Sequence, residues 1–133
     1  MQRDNNRKTP IRVLLVSRLE RDRHRYAVAF RQRGYCTLQA ANTADACRLA
    51  AEMLPAAVIA DVDLSICEDG VPLVRRLREE SGLWHIPVVI LAGTRTPVAA
   101  AIAPAGIDLF VIPPGDAQRL VGTVALLMRP QVH

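Results

Sequence analysis

The chain has 133 residues, half of them hydrophobic and 23% charged, enough apolar material for one folded core and too much for a largely disordered or collagen-like chain. Its formal net charge is +4, and sixteen of its seventeen cationic residues are arginine, the one lysine being Lys8. No apolar run approaches the roughly 18 residues that span a bilayer, and MQRDNNRKTP lacks the apolar stretch of a secretion signal, so a cytoplasmic domain without membrane contact is expected.

Residues 1–10 read as a disordered lead-in. From there short β-branched runs alternate with helical stretches. The expected strands are 11–16, 36–40, 57–60, 88–91 and 109–112, and the expected helices are 20–33, 43–54, 71–80, 97–103 and 117–129. Gly34 stops the first helix, Asn42 or Thr43 caps the second, Pro55 ends it, and Asp116 caps the fifth. The central strands scarcely alternate in polarity, which suits strands buried on both faces. The pattern predicts an α/β domain over 11–129, followed by a short tail at 130–133. Its architecture is a doubly wound, five-stranded parallel sheet with helices on both faces. Sites in such sheets form beyond the carboxyl ends of the strands, which singles out Ser17, Arg18, Asp61, Asp63, Ala92, Thr94, Pro113 and Pro114.

The three cysteines, Cys36, Cys47 and Cys67, have no C-x-x-C spacing, so neither a disulfide framework nor a zinc site is indicated and they read as small apolar residues. Ser17 and Thr94 have no histidine placed to activate them: His24 lies among arginines, His85 precedes a proline, and His133 ends the sequence. No glycine-rich loop follows the first strand, against a dinucleotide or P-loop site. An enzyme is therefore not expected. Six arginines, Arg18, Arg21, Arg23, Arg25, Arg31 and Arg33, crowd around the first helix. They read first as a solvated face and next as a docking face. With five aromatic residues and no DNA-reading motif, a nucleic-acid or nucleotide binder ranks third among the readings.

Five strings in order, IRVLLV, RQRGYCTLQAANTADACRLAAEMLPAAVIAD, DGVPLVRRLRE, IPVVILAG and AGIDLFVIPP, resemble the receiver domain of two-component response regulators, the CheY-like, flavodoxin-like fold. The resemblance implies phosphoryl transfer to Asp61, with Asp63 where a backbone carbonyl meets a magnesium ion and Pro114 as the proline of a Lys-Pro turn. Phe110 takes the position of the switch aromatic. The rest departs: Ser17 and Arg18 replace the acidic pair, Ala92 the hydroxyl residue, and Pro113 the lysine, which Lys8 cannot supply because it precedes the first strand. Losing one preorganised electrostatic donor costs about 10² to 10³ in rate, so loss of metal ligands, hydroxyl and lysine together predicts a signalling module whose state does not depend on phosphorylation. No cofactor is expected, magnesium having lost its ligands. An ion pair between Arg18 and Asp61 is expected in the metal's place. The alternative is a phosphoacceptor charged on Asp61 by a partner.

The implied partners are a histidine kinase, a phosphotransfer protein or a fused effector, and a homodimer through the fourth helix, fifth strand and fifth helix is a further expectation. The sequence suits a stand-alone receiver or a piece of a longer chain equally.

Overall fold

A computed structural model of the chain describes residues 11–61, 76, 77, 79, 86–91, 109–112 and 116–128. Over these residues the elements are β1 (Arg12–Val16), α1 (Glu20–Gln32), β2 (Cys36–Ala40), α2 (Thr43–Met53), β3 (Ala57–Asp61), β4 (Val88–Leu91), β5 (Leu109–Ile112) and α3 (Ala117–Leu127). The strands form one parallel sheet in the order β2-β1-β3-β4-β5, the predicted doubly wound arrangement. The tails at 1–10 and 129–133, the expected helix at 97–103 and most of that at 71–80 lie outside the described residues. Arg76, Leu77 and Glu79 are helical.

Period-2 alternation divides the core between the two faces of the sheet. Val13, Leu15, Ala57, Ile59, Val89 and Leu91 pack with Tyr26, Ala27, Ala29 and Phe30 of α1 and with Leu120, Val121 and Val124 of α3. Leu14, Val16, Val58, Ala60, Val88 and Ile90 point the other way, toward Ala46, Cys47 and Ala50 of α2 and toward Leu77. Each fully buried Leu, Ile, Val or Phe contributes about 1.5–3 kcal/mol over an exposed one, so both helical layers are needed to cover the strands. Gln118 Nε2 donates to Gln32 Oε1 at 2.9 Å, linking α3 to α1. Among the described residues no helix is long and apolar enough to cross a membrane.

The helix ends follow local chemistry. Asn42 caps α2, its Oδ1 accepting the Asp45 N–H at 2.8 Å, and Asp116 Oδ1 accepts the Gln118 N–H at 2.9 Å to start α3. α2 stops at Met53, one residue before the expected end, because Leu54 adopts φ 49°. Pro55 disfavours the right-handed helical region for the residue before it. Arg12 Nε donates to the Met53 carbonyl at 3.1 Å, giving the end of α2 a cation that its own last turn lacks. β3 runs one residue past its expected end, to Asp61, which pairs with Leu91. β1 begins at Arg12 instead of Ile11, and α3 ends at Leu127.

α1 ends in a Schellman turn: the Tyr35 N–H reaches the Phe30 carbonyl at 3.1 Å and the Gly34 N–H reaches that of Arg31 at 3.0 Å. The rings of Phe30 and Tyr35 close the motif edge to face, with centroids 5.6 Å apart. Gly34 has φ 92°, and a methyl group there would meet nothing within 4 Å, so only the backbone conformation resists a side chain. Gly34→Ala is expected to lower stability by about 1 kcal/mol in urea unfolding, with the fold retained.

Candidate functional site

The register aligns the strand ends that matter. Val16 pairs with both Ala40 and Ala60, and Asp61 pairs with Leu91, which pairs with Ile112. Ser17, one residue past Val16, is thus brought level with Asp61 on the adjacent strand. The junction of β1 and β3 is also where the order of the sheet reverses, the position at which ligand crevices open in folds of this kind. Asp61 is described as strand backbone, and Phe110 sits in β5 in register with Val89. Asp63, Ala92, Thr94, Pro113 and Pro114 lie outside the described residues, as does the side chain of Asp61 and with it the expected pair to Arg18. Arg18 itself is exposed.

Ser17 is 3% exposed and is committed to the turn that follows. Its N–H continues the ladder to the Ala40 carbonyl at 3.1 Å, and its Oγ accepts the Leu19 N–H at 3.1 Å. The second bond is a side-chain turn of the kind serine forms just before a helix, and it matters because Leu19, at the N-cap of α1, provides no side-chain cap. The Ser17 carbonyl accepts from Arg23 Nη1 at 2.7 Å, while Arg23 Nε donates to Gln39 Oε1 at 3.3 Å. One planar guanidinium therefore ties the carboxyl end of β1 to that of β2, a geometry that suits the fixed fork of arginine better than the point charge of lysine.

Arg23 was visible in the sequence only as one arginine of six. A finer signal exists: Arg23, Tyr26, Ala27 and Phe30 follow the 3, 4, 7 spacing of one helical stripe, and Tyr26, Ala27 and Phe30 are buried. Arg23 is the charged residue on the inward stripe. Arg25 has a local role, 3.5 Å from Asp22 and 4.6 Å over the ring of Tyr26. Glu20 and Asp22 lie in the first turn of α1, where negative charge suits the helix dipole.

The groups described at the end of β1 do not fit a divalent cation. Hard cations take several oxygen ligands, carboxylates above all; here a serine hydroxyl already accepts a backbone N–H, and a guanidinium holds the adjacent carbonyl. Among the described residues no three His, Cys, Asp or Glu side chains gather into a metal-binding group. Cys47 is buried in the core, whereas Cys36 is exposed on β2, which among the described residues ends the sheet on one side; Cys67 lies outside the described residues.

No family model matches the sequence, and no curated protein matches it. Solved structures do match in shape. The chemotaxis response regulator CheY4 of Vibrio cholerae is 20% identical, with a TM-score of 0.75 over 90% of this chain and 99% of that one. A response regulator from Desulfuromonas acetoxidans is 24% identical, with a TM-score of 0.75 over 89% and 96%. The signal receiver domain of a histidine kinase from Syntrophus aciditrophicus is 24% identical, with a TM-score of 0.73 over 88% and 89%. The fold is that of CheY-like receiver domains.

Arg23→Ala is expected to cost about 1 to 2 kcal/mol, the loss of a charge-assisted bond to a strand-terminal carbonyl. Arg23→Lys should recover less than half of it, because one ammonium cannot span both acceptors; urea unfolding of the two variants measures the difference.

Proposed function

We propose that the chain is a receiver-type signalling module that acts through protein contacts and whose state does not depend on phosphorylation. The observation that carries this reading is the end of β1, where Ser17 and Arg18 stand in place of carboxylates and Arg23 Nη1 lies 2.7 Å from the Ser17 carbonyl. Phosphoryl transfer to a carboxylate brings negative charge onto negative charge. Its catalysis therefore rests on cations and donors positioned in advance. Divalent-metal support requires anionic oxygen at this position, and this chain has a neutral hydroxyl and two guanidinium groups there. The sequence also contains no lysine after Lys8, so none is available at the end of β5.

In this reading Arg18 balances the charge of Asp61 and holds one conformation of the cleft. A carboxylate left without a counter-charge in a crevice is costly, and Arg18 stands at the tip of the neighbouring strand. The partners are proteins of two-component signalling: a histidine kinase, a phosphotransfer protein or an effector. A second reading is supported by the register itself, since Asp61 ends β3 level with Ser17, where a phosphoacceptor would stand. In that reading a partner kinase or phosphotransfer domain phosphorylates Asp61 with rearranged electrostatic support.

Intact mass after incubation with acetyl phosphate and magnesium separates the two readings, with Asp61→Asn as control. No Asp61-dependent phosphoryl adduct is expected; an adduct lost in the variant would replace the first reading with the second. The proposed pair has its own test in a double-mutant cycle of Arg18→Ala and Asp61→Asn. Unfolding free energies should show a coupling of about 1 kcal/mol, and additive effects would remove the pair.

A further inference from the structure

The edge of the sheet formed by β2 offers a second surface, away from Asp61. Among the described residues β2 has a strand neighbour on one side only. The Cys36 N–H donates to the Ile11 carbonyl at 2.8 Å and the Ala40 carbonyl accepts the Ser17 N–H at 3.1 Å. In a parallel ladder alternate residues bond to the same neighbour, so Cys36, Leu38 and Ala40 face β1. The backbone N–H and C=O groups of Thr37 and Gln39 face away from the sheet. Proteins usually blunt such an edge with a charged side chain, a proline or a bulge. The strand CTLQA contains neither charge nor proline, and its register with β1 is unbroken over five pairs.

The flank of this edge is positively charged. Arg23 and Arg31 stand eight residues apart on α1 with Ala27 between them, about 12 Å along the helix axis. Arg23 reaches Gln39 near one end of β2. Near the other end Arg31 lines a groove of about 570 Å³ with Gly34, Tyr35, Cys36 and Thr37. Among the described residues no carboxylate lies within ion-pair distance of Arg31. Residues 18–33 hold six arginines against Glu20 and Asp22, a net +4 that equals the formal net charge of the whole chain. A second copy pairing edge to edge would bring two such flanks together, so the charge favours an acidic occupant.

We propose that the free edge of β2 is a docking site for an extended acidic segment of a partner protein. The segment adds a strand against Thr37 and Gln39, and its alternate side chains, which share one face of a strand, turn carboxylates toward Arg23 and Arg31. Main-chain bonds supply the affinity and the paired charges the specificity, as in other strand-addition complexes. The proposal does not depend on the chemistry of Asp61.

The test uses the full chain and a labelled ten-residue peptide of alternating glutamate and valine, read by fluorescence anisotropy. Two control peptides accompany it, one with lysine for glutamate and one N-methylated on the backbone at alternate residues. Both controls should bind at least about tenfold more weakly, as should the parent peptide to Arg31→Glu, a change at an exposed position. In amide-resolved NMR the Thr37 and Gln39 signals should shift and gain protection from exchange. The proposal is overturned by no binding at millimolar peptide, by equal binding of the lysine peptide, or by equal binding of the N-methylated peptide. Sedimentation showing that the chain already pairs with itself through this edge would overturn it too, by assigning the surface to a second copy.

Discussion

The structure depends on a sheet whose central strands are buried on both faces. Val13 to Val16, Ala57 to Ala60 and Val88 to Leu91 are each at most 4% exposed. No strand of that composition is stable until helices cover both of its sides. That requirement sends α1 and α3 to one face and α2 to the other, and the crossovers it imposes make every strand parallel. Parallel strands end together at one edge, and the register that packs Val16 beside Ala60 also sets Ser17 beside Asp61. The site is a geometric by-product of burying the core.

At the described end of β1 the charged partner is an arginine. Ser17 uses its hydroxyl to satisfy the N–H of Leu19, and its carbonyl is held by Arg23. These bonds also support the fold, since they fix the start of α1 and join β1 to β2 through Gln39. The groups that close this turn are the same ones that hold the start of the helix in place. The serine hydroxyl and the arginine tether thus act together on one turn.

Charge is distributed unevenly over the rest of the surface. Arg25, Arg48 and Asp45 make short-range pairs along their own helices, of a kind that adds little stability when exposed. The stripe through Arg23 and Arg31 differs, because it runs beside the edge of the sheet at which backbone groups have no strand neighbour among the described residues. Cys36 belongs to the same edge and is exposed.

The sequence by itself determined what depends on neighbours a few residues away. The five apolar runs, the caps at Asn42 and Asp116 and the stop at Gly34 all stand where spacing and residue chemistry put them, because each reports a local contest between hydrogen bonds and backbone sterics. The absence of lysine beyond Lys8 was equally legible, since it is a fact of composition that folding cannot alter. Helix limits near Leu54 and the extension of β3 to Asp61 shifted by a residue, the scale on which long-range pairing adjusts local preference. Only the tertiary structure could decide which of six arginines serves the end of β1. Arg18 is nearest in sequence, yet the bond to the Ser17 carbonyl comes from Arg23, because the rotation of α1 that buries Tyr26, Ala27 and Phe30 turns position 23 inward. That choice belongs to the packing of a helix against two strands, and a linear pattern carries it only once the buried face is known.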